Sequence, residues 1–342
     1  MSNGGFDPKR LDAKRPRPVI PQILDSQTEA MAKGFTEIKV LGVGGAGNNT
    51  INRMIDSGVQ GIEFVAVNSD AQALDSSLAR KRLHIGHRIT SGLGTGGDAR
   101  LGEKSAEAAR DDLEEVLDGA DMVFITAGLG GGTGTGASPT VAAVAQEVGA
   151  LTVGIVTLPF AFEGRRRRAV ALEGLERLRP LVDALIVVSN DRLLQIAPQT
   201  AAIDQSFRMA DETLHQGIHG IADLIITPGL INLDFADVRS IMHRSGTALM
   251  AMGSASGEDR AAEAARSAIS SPLLESSITG ARGILLNITG GPDLTLHEVN
   301  TAAQMIQDAA APDANIIFGA VIHPLLSNEM RITVIAAGFG KR

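Results

Sequence analysis

From Ile38 onward the chain alternates short apolar runs with segments of helical periodicity: IKVLGV, then a helix through Met54; EFVAVN; a helix near 100–117; DMVFIT; a helix from Pro139; LTVGIVTLP; a helix near 166–179; and ALIVVS. A parallel strand covered on both faces is apolar throughout and needs a crossover helix to reach its neighbour, so this alternation is the mark of βαβ units. It predicts an α/β fold with a Rossmann-like parallel sheet. Ligands of such sheets bind beyond the carboxyl ends of the strands, which directs attention to the loops that follow them.

Farther on, Ile203, Phe207, Ala210, Leu214, Ile218, Ile221 and Ile225 recur at steps of three or four, the stripe of one long central helix, and Pro228-Gly229 breaks it. Beyond the break the pattern predicts an amphipathic helix over 238–250, a helix near 258–269, the strand GILLNIT, a helix after Pro292 and the strands NIIFGAVI and RITVIAAGF. These make a smaller mixed-sheet α+β C-terminal domain. Residues 1–35 hold Pro8, Pro16, Pro18 and Pro21 among Lys9, Arg10, Lys14, Arg15 and Arg17 and read as a flexible basic arm. The expected division is therefore 1–35 arm, 36–226 nucleotide domain with the central helix, and 227–340 second domain.

Composition narrows the chemistry. With no cysteine there is no disulfide, thiolate metal site or cysteine nucleophile, and no metal-ligand set is expected. A net charge of −8, no Trp, no Tyr and ten Phe argue against nucleic acid as a partner. No apolar run reaches the roughly 18 residues of a membrane span, so the expected location is the cytoplasm.

The loops carry the functional signal. Gly42, Gly44 and Gly47 form G-x-G-x-x-G after the first strand and before a helix expected near Asn48, an arrangement that serves a phosphate or, equally, a dinucleotide, with Glu63 and Asp70 near the expected acidic position. The second loop, Gly128-Leu-Gly-Gly-Gly-Thr-Gly-Thr-Gly136, is more specific: six glycines and two threonines stand before another helix. Glycine at that density supplies no packing and loses entropy on folding, so close backbone approach to a polyphosphate is its natural use. No Walker A lysine is present. A third turn, Ser91 to Asp98, is also rich in glycine. Arg165 to Arg168 open a helix, where positive charge opposes the dipole unless an anion is near. Asp234 and Asp237 suit the first turn of a helix as caps, or could orient a water, but would be repelled by a triphosphate held in their own pocket. His215 and His219 lie one turn apart, yet Gln216 rules out H-E-x-x-H.

Taken together, GVGGAGNN, NSDAQAL, GLGGGTGTGASP, PFAFEGRRRR, SNDRLL, PGLINLDFADV, ISSPLLE and NITGGPDLTL resemble FtsZ, the tubulin-like GTPase family of bacterial cell division, from about Ile38 to Phe339. The resemblance implies that Gly44, Gly45, Ala46, Gly47, Gly131, Gly132, Thr133, Gly134 and Thr135 contact the phosphates of GTP or GDP, with Mg²⁺ carried by the nucleotide. Ala71, Gly94 and Thr95 would lie near the γ-phosphate. Glu163 and Arg167 would hold the ribose, and Asn49, Asn190, Phe207 and Asp211 would bind or stack on guanine. Asn232, Asp234 and Asp237 would form a loop that inserts into the pocket of the next subunit, so that hydrolysis needs a head-to-tail homopolymer at mid-cell. The family's C-terminal linker and peptide have no counterpart in this sequence. The expectation is that tail-dependent membrane adaptors are not partners, while a complete FtsZ paralogue and division regulators are. The alternative function is a scaffold that co-assembles with such a paralogue and turns over little nucleotide.

Overall fold

The apolar runs become the strands of a continuous ten-stranded sheet in a computed structural model that describes residues 36–196, 202–227, 229–231, 233–274, 277–324 and 326–339. The expected basic arm and Asn232 lie outside the described residues. In chain order the first half runs β1 (Ile38–Val43), α1 (Gly44–Asp56), β2 (Ile62–Asn68), α2 (Ala71–Asp75), β3 (Lys81–His84), α3 (His87–Thr90), α4 (Ala99–Glu107), α5 (Arg110–Leu117), β4 (Met122–Gly128), α6 (Thr133–Glu147), β5 (Leu151–Leu158), α7 (Arg165–Leu178), β6 (Ala184–Ser189) and α8 (Asn190–Ile196). The central helix α9 (Ile203–Ile226) leads to α10 (Phe235–Met242), β7 (Gly246–Ser256), α11 (Arg260–Ile269), β8 (Gly283–Gly290), α12 (Leu296–Ala309), β9 (Asn315–Ile322) and β10 (Glu329–Ala337).

Strand order is β3-β2-β1-β4-β5-β6-β7-β10-β8-β9. The first six strands are parallel, as a series of crossover helices dictates. β7 joins the two halves: Gly246–Ala248 pair parallel with β6, and Leu249–Ser256 pair antiparallel with β10. β10 then pairs antiparallel with β8, and β8 parallel with β9.

Side-chain alternation builds a core on each face. On β1, Ile38 and Val40 point toward Ile51 and Met54 of α1 and Leu214, Ile218 and Ile221 of α9, whereas Leu41 and Val43 join Leu113, Val141 and Val144 from α5 and α6. A third cluster lies under α11 and α12. The predicted stripe of α9 is buried from Ala210 to Ile221, while Phe207, nearer its start, is left partly exposed.

Two expectations are corrected here. The predicted helix over 238–250 ends at Met242 and gives way to β7. Arg244 takes φ 52° and Gly246 φ 72°, and Asp183 holds the break by accepting from the Arg244 N–H at 3.2 Å through its carboxylate and from the Gly246 N–H at 3.0 Å through its carbonyl. The single helix near 100–117 is two, α4 and α5, separated at Ala108-Ala109. Among the described residues no helix is long and apolar enough to cross a membrane.

Candidate functional site

Five parallel strands, β1, β2, β4, β5 and β6, end beside one cavity of about 350 Å³. Its floor is the two glycine loops: the first is itself the opening turn of α1, which begins at Gly44, and the second runs through a turn at 129–132 into the opening turn of α6 at Thr133. Both helix N-termini therefore present free N–H groups and positive dipole to the cavity. Gly45 and Gly131 line it with bare backbone, and a Cβ on either would meet no atom within 4 Å, so nothing but main chain stands between their N–H groups and a ligand. Gly132 is constrained from behind. A Cβ there would fall 2.0 Å from Thr95 Oγ1 and 2.9 Å from the Asp98 nitrogen, because the third glycine turn packs directly on the second loop.

Hydroxyls tie these loops together. Thr133 Oγ1 lies 2.6 Å from Ser69 Oγ and 3.3 Å from Thr95 Oγ1, so the end of β2, the third turn and the second loop share one buried network. Thr135 Oγ1 accepts from the Gly130 N–H at 2.8 Å and shapes the loop from within instead of lining the cavity.

Opposite the loops, Glu163 sits 3.1 Å from Arg167 and also accepts from the Phe160 N–H at 2.9 Å. Asn190, Phe207 and Asp211 close the far end. Asn190 Oδ1 is buried and has no hydrogen-bond partner, an acceptor held out of water for something to donate to. Phe207 stands edge-on to Phe160 at 5.3 Å and remains 40% exposed at the cavity wall. The Asp211 carboxylate accepts from Arg53 Nε at 3.2 Å; burial pushes its pKa up to about 6, against the opposing pull of that guanidinium.

Of the residues named from the sequence, Gly45, Ala46, Gly94, Thr95, Gly131, Gly132, Thr133, Gly134, Glu163, Arg167, Asn190, Phe207 and Asp211 line this one cavity. Gly44, Gly47 and Thr135 support it from behind. Ala71 starts α2 beside it, with Asp70 and Ala73 at the wall, and Asn49 is exposed on α1 and is not a wall residue. Asp234 and Asp237 are not wall residues either; they sit at the start of α10. Asn68, Leu93, Gly96, Thr157 and Pro159 are wall residues absent from the sequence assignment, although Asn68 and Thr157 lie in the last residues of β2 and β5, Pro159 follows β5, and Leu93 and Gly96 belong to the third glycine turn. His215 and His219 face Glu212 at 3.5 Å and Asp223 at 2.7 Å, and the Asp223 hydrogen bond raises the His219 pKa. Among the described residues no group of three or more His, Asp or Glu is placed to hold a metal ion.

Residues 37–198 match the GTPase domain of the Tubulin/FtsZ family, and residues 246–340 match the C-terminal domain of the FtsZ family. An FtsZ from M. jannaschii, solved as an empty dimer, is 42% identical over 93% of this chain and 93% of its own, with a TM-score of 0.87. A point mutant of FtsZ from the same organism superposes with a TM-score of 0.88 at 42% identity, covering 92% of this chain and 94% of its own. CetZ2 from Haloferax volcanii, in a GTPγS-bound protofilament, is 25% identical over 88% of this chain and 92% of its own, with a TM-score of 0.72. The wall of glycine loops and the chain around it thus have the same relatives, and the protein belongs to the tubulin/FtsZ family.

Proposed function

We propose that this chain binds GTP in the glycine-lined cavity, hydrolyses it where copies stack head to tail into a filament, and serves bacterial cell division through that filament. The observation that carries the reading is a separation. The anion cradle and the pair of carboxylates suited to orienting water are on the same chain, yet Asp234 and Asp237 are not wall residues of the cradle. A triphosphate and two carboxylates in one pocket would repel each other, whereas carboxylates delivered by a second copy arrive only when the site closes. Such a heterologous contact does not close on itself and propagates as a filament. The protofilament form of CetZ2 supports this.

The walls fit the nucleotide. Bare backbone at Gly45 and Gly131 and two helix N-termini suit phosphates; the orphaned Asn190 Oδ1 and the Asp211 carboxylate accept from a ring that donates, as guanine does at N1 and N2; Phe207 offers a face for stacking. Glu163 and Arg167 are assigned to the ribose. Magnesium, carried on the phosphates, supplies neutralisation of the charge that develops as the γ-phosphoryl transfers. In this reading residues 36–226 hold the nucleotide, and the segment of Asn232, Asp234 and Asp237 at the start of 227–340 acts on a neighbour.

Sedimentation and light scattering with GTP, GDP and ATP test assembly. Filaments that form with GTP and disassemble as it is consumed support the reading; a chain that stays monomeric with every nucleotide contradicts it.

A further inference from the structure

The third glycine turn takes its shape from what it docks against. Ser91 holds φ 52°, where a side chain is disfavoured, and Gly92 and Gly94 hold φ 78° and 73°, so no regular element fixes the path of this segment. It docks on the end of β2. Leu93 makes an isolated antiparallel bridge with Asp70, the Ala71 N–H donates to the Gly92 carbonyl at 3.1 Å, and the Gly94 N–H donates to the Ser69 carbonyl at 3.3 Å.

Ser69 is fully buried, and its carbonyl gathers two more donors: Thr90 Oγ1 at 3.2 Å and His84 Nε2 at 3.3 Å. Thr90 divides its one proton, because its hydroxyl also lies 3.3 Å from the Gly86 carbonyl. His84 does not divide its own. A carbonyl only accepts, so the contact places hydrogen on Nε2 and commits it to Ser69. The ring reaches across from β3 and lies under the turn, where a Cβ on Gly92 would stand 3.7 Å from His84 Cε1. Ser69 thus holds the third turn by its main chain and the second loop by its hydroxyl, 2.6 Å from Thr133 Oγ1. His84 is not itself a wall residue of the cavity.

The order of the strands says which part of a ligand meets this turn. The strands that end beside the cavity run β2-β1-β4-β5-β6, with the third turn docked on β2 and Asn190 directly after β6. A nucleotide with its base at Asn190 and Asp211 extends its phosphates along that row, and the last of them reaches Gly94, Thr95 and Gly96. We propose that His84 is a positioning residue for the third phosphate: by holding the Ser69 carbonyl it fixes the third turn at the height where it meets the γ-phosphate of GTP and has nothing to meet in GDP. The proposal rests on the reading that this cavity binds GTP.

The test measures binding of GTPγS and of GDP, with Mg²⁺, to the full chain by displacement of a fluorescent GDP, at protein concentrations low enough that a second copy plays no part. His84→Phe keeps a ring under the turn and removes the donor; His84→Leu removes the donor with a smaller side chain. Each should weaken GTPγS by about fivefold, the worth of one hydrogen bond, and leave GDP as in the parent. His84→Gln returns an N–H at similar reach and should bring the ratio of the two affinities back to within about twofold of the parent on the same reasoning. A parental ratio in a donor-less variant that unfolds thermally as the parent does overturns the proposal. So does equal weakening of both nucleotides, or a His84→Gln chain as weak for GTPγS as His84→Phe. A parent that binds neither nucleotide overturns the reading of the cavity itself, which separates that failure from the failure of His84.

Discussion

Asp234 and Asp237 hold each other across the first turn of α10: the Asp237 N–H donates to Asp234 Oδ1 at 2.8 Å, and the Asp234 N–H reaches back toward Asp237 Oδ2 at 3.4 Å. The first bond is the true cap and the second is long, so the two carboxylates have unequal structural weight. Asp234→Ala should lower stability by about 1 kcal/mol. Asp237→Ala should lower it by only a few tenths of a kcal/mol on the same reasoning. Urea unfolding of both variants checks this, and equal losses would mean that Asp237 is primarily a cap.

Guanine selectivity should reside in Asp211. Removing a charged acceptor for two ring donors should reduce the preference for GTP over ATP by about tenfold or more, the worth of a hydrogen bond to a charged group. Competition binding of the two nucleotides to Asp211→Ala and parent checks this; an unchanged ratio would move the base site elsewhere.

The same carboxylate predicts a pH dependence. With its pKa raised to about 6, Asp211 passes from acceptor to protonated acid as pH falls from 7 to 5, so GTP affinity should drop over that window, and the drop should vanish in Asp211→Ala. The sign for stability is opposite. A carboxyl whose folded pKa exceeds its unfolded value near 3.8 is destabilising when ionised, and this penalty is relieved as pH falls through about 6. Nucleotide titrations and thermal unfolding across pH 5 to 7.5 separate the two effects.

Gly132→Ser should abolish nucleotide binding, because a Cβ placed 2.0 Å from Thr95 Oγ1 forces the third turn off the second loop. Mixed with Asp237→Ala, it should restore part of the GTPase activity, since one variant keeps its pocket and the other its carboxylates. Recovery requires that the damaged pocket still accept its neighbour's contact; filament incorporation of labelled Gly132→Ser chains, measured alongside, reports that directly.

The parallel sheet of the first half, though not its strand order, and the glycine-rich loops beyond its strand ends were readable because buried parallel strands announce themselves as apolar runs and glycines mark close approach. Helix starts were not. Gly44 to Gly47 and Thr133 to Gly136 read as loop because glycine disfavours helix, yet they are first turns held by tertiary packing: a Cβ on Gly47 would lie 2.3 Å from the Thr126 carbonyl oxygen. β7 was hidden for another reason. The run ALMAMG fits a buried strand or a helix equally, and the break before it depends on Asp183, sixty-one residues away from Arg244. Asn190 and Asp211 entered through family resemblance, since an orphaned acceptor is a property of three-dimensional burial and leaves no local pattern.

The most direct test of the central claim is GTP hydrolysis per chain as a function of protein concentration, in parent and Asp237→Ala at saturating GTP. A site completed by a second copy predicts specific activity near zero below a threshold concentration and a steep rise above it, with Asp237→Ala binding GTP as tightly as the parent but remaining slow throughout. Specific activity that is constant with concentration, or an Asp237→Ala chain as active as the parent, would contradict hydrolysis between subunits.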